Sequence, residues 1–499
     1  MSTLSHSRFF EEAYAPIGTS VPICVDLDGT LVRGDLLVES IVQLLKINVL
    51  YLLLLPFWLL RGKAFLKQEV SRRVDLDVSL LPYNQALLSF LQNEYRSGRT
   101  IILATAADQR IANKVAEHLG IFEEVLASDG QVNLSGRAKR ELLIAKFGEG
   151  GFDYAADNRV DLSVWAAARR AITVNATSRV ERQARRSSEV ALVLSDRSNL
   201  PRTMLKASRL HQWAKNVLIF VPLLTSHQLT DINLILRAFC AFISFSLCAS
   251  SVYLLNDLLD IEADRKHPKK RKRPFASGDL EIRSGVLLCG FSLMAGFAIA
   301  STLGWQFTGI LTAYYMLTLA YSFFLKRKLL LDVHCLAGLY TIRVLAGGAA
   351  TGVSPSAWLL AFSMFLFLSL ALVKRVSELK CMLQNNIESA SGRSYGAGDF
   401  QALASLGTGS GFICVLITAL YMQSPQVTAL YQTPSLLLLL CPLFSYWMSR
   451  VWMIAYRGKM NHDPVVFALK DRVSYLVGAL AAAVMYLATL TWPEFFPVT

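Results

Sequence analysis

The stretch NDLLDIEADRKHPKKRKRP, residues 256–274, decides the fold. It ends a long apolar run and places Asp257, Asp260 and Asp264 just before a series of lysines and arginines. The i, i+3, i+7 spacing puts the three carboxylates within about 60° of arc on one helical face. Such carboxylates repel one another at a membrane edge unless a divalent cation lies among them. The stretch therefore predicts a metal site at the end of a membrane helix.

The composition is that of a membrane protein, since 53% of the 499 residues are hydrophobic. The net charge of +13 favours anionic lipid head groups and phosphate-bearing substrates as partners. Nucleic acid is not expected as a partner, because the basic residues lie between apolar segments. The eight cysteines are scattered and form no C-x-x-C pair, so neither a disulfide framework nor a zinc site is expected.

Nine apolar segments follow residue 203. They cover 213–226, 234–256, 285–303, 305–324, 329–350, 357–377, 405–423, 434–455 and 473–492. The loops after the even-numbered segments are basic, whereas those after the odd-numbered segments contain no Lys or Arg. The positive-inside rule therefore predicts an all-α domain of nine transmembrane helices over 201–499. We expect it in a bacterial-type inner membrane, with the N-terminal domain and the active sites on the cytoplasmic side.

Residues 1–200 predict a separate α/β domain. Short apolar runs at 21–26, 100–106, 152–157 and 190–194 alternate with helical patterns at 84–98, 108–120 and 161–171. This alternation favours a doubly wound parallel sheet, which binds ligands at the carboxyl ends of its strands.

A small helical cap is expected at about 35–80. Its apolar run within 49–67 is too short to span a bilayer, so we expect it to lie in the membrane interface, with Trp58, Arg61 and Lys63 at head-group level. A buried hairpin of a soluble cap is the alternative.

Polar side chains follow the predicted strands of this domain. Asp26 and Asp28 lie in Asp-Leu-Asp-Gly-Thr after the first strand, Thr105 ends the second, and Lys139 and Asp157 follow. Asp26 is suited to attack phosphorus, and Asp28 to protonate the leaving group and then activate water. Thr105 and Lys139 would hold phosphate oxygens. Asp157 would complete a Mg²⁺ site with Asp26 and Asp28.

This ordered set resembles the haloacid dehalogenase (HAD) phosphohydrolases over about residues 20–195. The D-x-D-G-T sequence, the later threonine and lysine, and the D-x-x-x-D sequence at 157–161 carry the resemblance. Ala156 stands where that family usually has glycine. The resemblance implies a Rossmann-like fold with phosphatase activity and Mg²⁺ as cofactor; a decayed domain with a purely structural role is the alternative.

The membrane half resembles the UbiA superfamily of nine-helix transferases. The resemblance rests on N-D-x-x-D-x-x-x-D, which begins at Asn256, and on the following RPFASG. A second motif, YSFFLKRKLLLDVHCL at 321–336, matches at Tyr321, Lys326 and Asp332 but carries Leu336 where many members have aspartate. The resemblance implies Mg²⁺ held by Asp257, Asp260 and Asp264 and a diphosphate substrate.

Basic side chains at the predicted cytosolic helix ends would clamp that diphosphate. They are Lys215, Lys326, Arg343, Lys374 and Arg375, and Asn256 and Tyr321 complete the expected substrate-binding set. A diphosphate bound to a metal and to cations is a good leaving group, and the acidic site stabilises the cation left at carbon.

Four further stretches resemble one branch of the superfamily, the decaprenyl-phosphate phosphoribosyltransferases. They are LHQWAKNVLIFVPLL (210–224), IRVLAGGAATG (342–352), KRVSEL (374–379) and DPVVFALKDRVSY (463–475). The resemblance implies transfer of 5-phosphoribose from phosphoribosyl diphosphate to a polyprenyl phosphate, and the fused HAD domain would dephosphorylate the product. A prenyltransferase acting on an aromatic or other acceptor is the first alternative, and a non-catalytic lipid-binding protein is the second.

Overall fold

The chain divides into two compact units in the computed structural model. Unit 1 comprises the residues through Ser208 together with Tyr253–Cys289, and unit 2 comprises Arg209–Val252 and Gly290–Thr499. The structure describes residues 21–196, 198–226, 228–384, 395–422, 424, 427, 431–460, 464–468 and 470–490.

Unit 1 is built on a six-stranded sheet in the order β3-β2-β1-β4-β5-β6, with every neighbouring pair parallel. The strands are β1 Ile23–Val25, β2 Ile101–Asp108, β3 Glu124–Ser128, β4 Asp153–Ala156, β5 Arg170–Val174 and β6 Glu189–Leu194. The strand order reverses at β1, so the ends of β1 and β4 face the crevice where doubly wound sheets bind ligands. The predicted doubly wound parallel sheet is confirmed.

Nine helices accompany the strands in the described residues between 21 and 208. They are α1 Leu36–Ile47, α2 Tyr51–Leu60, α3 Lys63–Ser71, α4 Gln85–Arg96, α5 Gln109–Leu119, α6 Arg137–Phe147, α7 Leu162–Trp165, α8 Ser178–Ser187 and α9 Leu200–Ala207. Local signals set several ends: Asp35 and Asp108 accept N-cap hydrogen bonds from Val38 and Arg110, and Gly120 ends α5 in a left-handed conformation.

The prediction of one helix over 161–171 was wrong. Only Leu162–Trp165 is helical, and Arg170–Val174 is a strand in the interior of the sheet. The alanines at 166–168 suit a helix by propensity, but the chain turns there, and from Arg170 onward it pairs with β4 and β6.

Helices α1, α2 and α3 form the insertion expected as a cap. The ten-residue α2 exposes large apolar side chains, including Leu53, Phe57 and Leu60. It is only about 15 Å long, half of what a hydrocarbon core requires. Trp58 does not join the exposed set: it is buried beneath the guanidinium of Arg73, 4.8 Å from the ring centroid. Trp58 therefore packs within the cap, contrary to its expected head-group position.

The segment Tyr253–Cys289, which contains the quoted acidic stretch, packs in unit 1. Its short helix α11 spans Ile261–Lys266. From this helix Arg265 donates two hydrogen bonds, of 2.5 and 3.0 Å, to the carboxylate of Glu39 on α1. The Arg265 and Glu39 side chains are 7% and 8% exposed, so this is a buried bidentate ion pair.

We expect Glu39→Gln to lower the free energy of unfolding by about 3–5 kcal/mol, because it leaves the buried Arg265 charge without its counter-charge. Thermal unfolding of the full chain in detergent measures the loss. Glu141→Gln, at a largely exposed ion pair with Arg137, is the matched control and should cost little. If the combined Glu39→Gln and Arg265→Gln changes cost the sum of the single changes, the two side chains are not coupled.

Unit 2 is helical. Its described helices are α10 Val221–Thr225, α12 Ile232–Leu259, α13 Ile282–Leu303, α14 Trp305–Phe323, α15 Leu331–Thr351, α16 Ala357–Gln384, α17 Phe400–Met422, α18 Leu440–Tyr456, α19 Pro464–Ala468 and α20 Arg472–Ala488. Two of these, α12 and α13, run on into residues assigned to unit 1.

Six helices are long and apolar enough to cross a membrane within the described ranges. They are Ile232–Leu259, Ile282–Leu303, Leu331–Thr351, Ala357–Gln384, Phe400–Met422 and Pro434–Tyr456. The predicted count of nine is therefore not confirmed. Helices α14 and α20 coincide with two further predicted segments, whereas 213–226 is a 3₁₀ helix, Leu210–Phe220, followed by the short α10.

Candidate functional site

The first carboxylates of the α/β site lie in the turn after β1. Asp28 accepts a hydrogen bond of 2.8 Å from the Leu36 backbone N–H at the start of α1. Burial, reinforced by the neighbouring Asp35 carboxylate, raises the pKa of Asp28 to about 7. A carboxyl group with that pKa is protonated in a large fraction of molecules near neutral pH, which a general acid requires.

Gly29 fixes the shape of this turn. Its φ of +77° lies in the left-handed region, and a Cβ there would lie 2.5 Å from Asp157 Oδ2. The absent side chain lets Asp157, which follows β4, approach the β1 turn. Thr30 holds the same carboxylate through a hydrogen bond of 3.2 Å from its Oγ1 to Asp157 Oδ1.

A buried lysine links the two acidic loops. Lys139 on α6 donates from Nζ to Asp26 Oδ1 and to the Tyr154 hydroxyl, both at 2.8 Å, and Tyr154 donates to Asp161 Oδ1 at 2.9 Å. Burial alone would lower the pKa of Lys139, but the carboxylates of Asp26 and Asp161 outweigh it and raise that pKa. The lysine therefore carries a positive charge beside the Asp26 carboxylate.

Three carboxylates of this site are close enough to share a cation. One oxygen from each of Asp26, Asp157 and Asp161 lies within 4.8 Å of the others. Hard oxygen ligands of this kind fit Mg²⁺, so the residues present suit the metal that the sequence predicts. Asp161, rather than the side chain of Asp28, joins the two predicted ligands in this cluster. The metal-binding roles of Asp26, Asp28 and Asp157 stay predictions.

A cavity of about 390 Å³ opens over these groups. Its lining includes Asp26, Asp28 and Lys139 from the sheet side and Lys67 from α3. Thr105 is not part of the lining: it is fully buried, and its Oγ1 accepts a hydrogen bond of 3.0 Å from the Ala107 N–H. Ala106 and Ala107 line the cavity instead, so the Thr105 hydroxyl does not lie where it was expected to contact phosphate.

The acidic motif has a different geometry from the one expected. Helix α12 ends at Leu259 and α11 begins at Ile261, with Asp260 at the break. The three aspartates therefore do not lie on one continuous helix. Asp260 still connects the helices, since its N–H donates to the Asn256 carbonyl at 2.9 Å and its carbonyl accepts from the Asp264 N–H at 2.8 Å.

Asp257 and Asp264 converge on one point. Both are buried, and both accept hydrogen bonds from Nη1 of Arg273, at 3.1 and 2.7 Å. Two carboxylates that share one cationic atom can also share a divalent ion with the phosphate oxygens of a substrate. Among the described residues, Asp257, Asp260 and Asp264 do not form a cluster of three converging carboxylates like that of Asp26, Asp157 and Asp161. Arg273 lies at the end of the basic run, and sequence reasoning did not single it out.

Two of the predicted phosphate-binding lysines meet in unit 2. Lys215 and Lys374 line one small cavity of about 50 Å³ together with Tyr340 and Leu336. Lys215 Nζ lies 5.8 Å from the centroid of the Tyr340 ring. The ammonium groups of Lys215 and Lys374 can bind an anionic group in this cavity, and the Tyr340 ring can position Lys215 through a cation–π contact.

Arg343 is buried in an aromatic cage of Phe245, Tyr314 and Tyr340, whose ring centroids lie 5.0–5.4 Å from its guanidinium carbon. It donates to Asn216 Oδ1 at 2.8 Å and to the Tyr314 hydroxyl at 3.2 Å. These contacts fix the position of the Arg343 guanidinium inside the helical unit.

Arg375 is engaged with carboxylates. It donates to Asp332 Oδ2 and Glu378 Oε2, both at 2.6 Å, and lies 3.4 Å from the Tyr321 hydroxyl. A phosphate contact by Arg375 or Tyr321 would have to compete with these bonds. Lys326 lies in a short 3₁₀ helix, Leu325–Arg327.

The fold and these sites define an integral membrane protein that carries an α/β unit resembling HAD phosphohydrolases. The chain belongs to the UbiA prenyltransferase family, whose model matches residues 217–470, just over half of its length. The predicted family membership is confirmed.

Three relatives are similar to the chain in sequence. An uncharacterized Sinorhizobium fredii protein, y4nM, is 37% identical over 471 residues, which are 94% of this chain and 91% of that protein. Nodulation protein NoeC of Azorhizobium caulinodans is 34% identical over 289 residues, covering 57% of this chain and 93% of its own length. Decaprenyl-phosphate phosphoribosyltransferase of Mycolicibacterium smegmatis is 35% identical over 188 residues, or 36% of this chain, and the chain spans 58% of that enzyme.

Two solved structures are similar to parts of the chain at low sequence identity. A UbiA homologue from Archaeoglobus fulgidus bound to GPP and Mg²⁺ has a TM-score of 0.42 at 17% identity and covers 57% of this chain and 99% of its own. A phosphoserine phosphatase in apo form has a TM-score of 0.27 at 17% identity, covering 36% of this chain and 94% of its own. Neither likeness identifies ligands of this chain.

Proposed function

We propose that the chain is a bifunctional enzyme that synthesises a phosphoribosylated lipid and then dephosphorylates it. The membrane half transfers 5-phosphoribose from phosphoribosyl diphosphate to a polyprenyl phosphate, and the α/β unit removes the 5-phosphate from the product. One observation carries the proposal. A chain similar to decaprenyl-phosphate phosphoribosyltransferase over 188 residues also holds an Asp26–Lys139–Asp161 cluster suited to phosphate ester chemistry.

In the transfer step, the bond from the ribose C1 to the diphosphate breaks, and an oxygen of the polyprenyl phosphate bonds to C1. Asp257 and Asp264, with Asp260 beside them, would hold Mg²⁺, which offsets the charge of the departing diphosphate when bound. In the structure Arg273 donates hydrogen bonds to Asp257 and Asp264. We expect its guanidinium to bind the departing diphosphate and to stabilise the negative charge that develops on that group. Lys215 and Lys374 are proposed ligands of a second anionic group.

In the dephosphorylation step, a carboxylate oxygen of Asp26 attacks phosphorus and the ester bond to the sugar breaks. Asp28 gives its proton to the departing sugar oxygen and then accepts one from the water that hydrolyses the aspartyl phosphate. Lys139 holds Asp26 in position through the hydrogen bond from its Nζ. Asp157 and Asp161 would hold Mg²⁺ together with Asp26, which fits their shared geometry.

We place both reactions on the cytoplasmic side of a bacterial-type inner membrane, because the basic loops alternate along the chain. The family itself favours one alternative, transfer of a prenyl group from its diphosphate to another acceptor. In that reaction carbon 1 of the prenyl chain, rather than of ribose, would carry the departing diphosphate.

Labelled substrates separate the two reactions. We expect purified full chain with Mg²⁺, polyprenyl phosphate and phosphoribosyl diphosphate labelled in the ribose to move label into the organic phase, and EDTA to stop it. The 5-phosphate should then appear as inorganic phosphate. If label stays in the aqueous phase while an aromatic acid becomes prenylated, the phosphoribosyl assignment is wrong and the alternative holds.

A further inference from the structure

A residue from outside the α/β sequence reaches the phosphohydrolase cavity. Arg283 lies in the segment after the acidic motif, at the start of α13 and inside the range that matches the UbiA family. Its Nη2 lies 2.5 Å from Asp35 Oδ2, and both residues line the 390 Å³ cavity above Asp26 and Asp28. The phosphohydrolase cavity is thus completed by a side chain that belongs to the transferase sequence.

The cavity is larger than a phosphate group requires. Pockets of 300–1,000 Å³ accommodate whole small molecules, so about 390 Å³ leaves room for more of the substrate than its reacting phosphate. A second cavity of about 160 Å³ shares Asp28, Asp35 and Arg283 with the first and is also lined by Glu281. A substrate that places one phosphate at Asp26 can therefore extend past Arg283, with acceptors such as Glu281 available to sugar hydroxyls.

Arg283 is well suited to bind an anion there. Its side chain is 66% exposed and that of Asp35 is 36% exposed, and an ion pair in such contact with water is weak and easily exchanged. A guanidinium group offers two parallel donors to a phosphate, a better match than a point charge. Lys139, by contrast, is buried and held by Asp26 and Tyr154, so it serves the reacting phosphate.

We propose that Arg283 binds a second phosphate group of the phosphohydrolase substrate, so that the site prefers sugar phosphates that carry two separate phosphates. The inference rests on the proposed dephosphorylation and specifies its substrate class. The second phosphate could be a free monoester or the diester that joins a sugar to a lipid, since both present the same oxygens to Arg283.

Phosphate release from three substrates tests this. They are ribose 5-phosphate, ribose 1,5-bisphosphate and polyprenylphosphoryl ribose 5-phosphate in detergent micelles. We expect Arg283→Gln in the full chain to reduce the kcat/KM preference for the two-phosphate substrates by about tenfold, the size of one charge-assisted hydrogen bond, mainly through KM. Arg283→Lys should restore part of the preference. Arg185→Gln, at an exposed ion pair with Glu181 outside both cavities, is the matched control.

The outcomes are distinguishable. Loss of preference with both two-phosphate substrates supports recognition of the phosphate itself, and loss with the lipid substrate alone supports the lipid-linked diester. An equal decrease for all three substrates, or no decrease, overturns the role of Arg283 while the phosphatase assignment stands. If the unaltered chain releases phosphate from none of them, the proposed dephosphorylation fails and the inference fails with it.

Discussion

Asp257→Asn should lower phosphoribosyl transfer at least about 100-fold, because loss of groups that merely support metal ligands already costs 10–100-fold. Asp257 is buried and shares Arg273 with Asp264, so it is fixed where a shared cation would lie. Asparagine keeps the size and one acceptor but removes the charge that a divalent ion requires. Initial rates of label transfer to lipid, measured over a range of Mg²⁺ concentrations, give the size of the loss.

Glu262→Gln is the control for this change. Glu262 lies in the same segment but pairs with Lys266 at the surface, so its loss should change transfer little. The phosphatase rate of Asp257→Asn should stay within about twofold of the unaltered chain, which shows that the protein is folded. Full transfer activity in Asp257→Asn would remove Asp257 from the mechanism and contradict the proposed metal site.

Asp26→Asn should lower phosphate release about 10³-fold or more, the scale on which enzymes lose turnover without their nucleophile. The amide cannot attack phosphorus, and it gives up the ion pair with Lys139 Nζ at 2.8 Å. We expect transfer of phosphoribose to lipid to continue, so that the phosphorylated lipid accumulates. Thin-layer separation of the labelled lipids before and after chemical dephosphorylation measures that accumulation.

Asp75→Asn is the matched control, since Asp75 is 88% exposed and contacts only Lys114 among the described ion pairs. It should release phosphate at the rate of the unaltered chain. Loss of both activities in Asp26→Asn would mean that the α/β unit controls the transferase. Unchanged phosphate release would show that another group attacks phosphorus.

The sequence predicts those parts of the molecule that follow from local patterns. The apolar run before Asp26 is short and ends in Asp-x-Asp-Gly, so it predicts both the strand and the acidic turn. Asp157 follows a second strand for the same reason, and parallel pairing of β1 with β4 brings the two loops together. The long apolar runs likewise predict the membrane helices, because length and hydropathy are local properties.

Contacts between distant residues could not be predicted in this way. Glu39 and Arg265 are 226 positions apart, and neither belongs to a motif. Arg273 is one of several basic residues in its loop, and the sequence does not show which of them contacts the aspartates. The fold of the loop brings Arg273 to Asp257 and Asp264. Asp161 was visible in the D-x-x-x-D spacing, but its place beside the carboxylates of Asp26 and Asp157 depends on the 3₁₀ turn that follows β4.

The interleaving of the units has a consequence for dissecting the protein. The chain leaves unit 1 at Ser208 and returns to it from Tyr253 to Cys289. A gene cut after codon 208 would therefore yield an amino-terminal polypeptide without Arg265, the partner of its Glu39, and without Arg283 at its cavity. We therefore expect an amino-terminal fragment that ends at residue 208 to be stable only when the segment Tyr253–Cys289 is supplied to it on a second, complementing fragment.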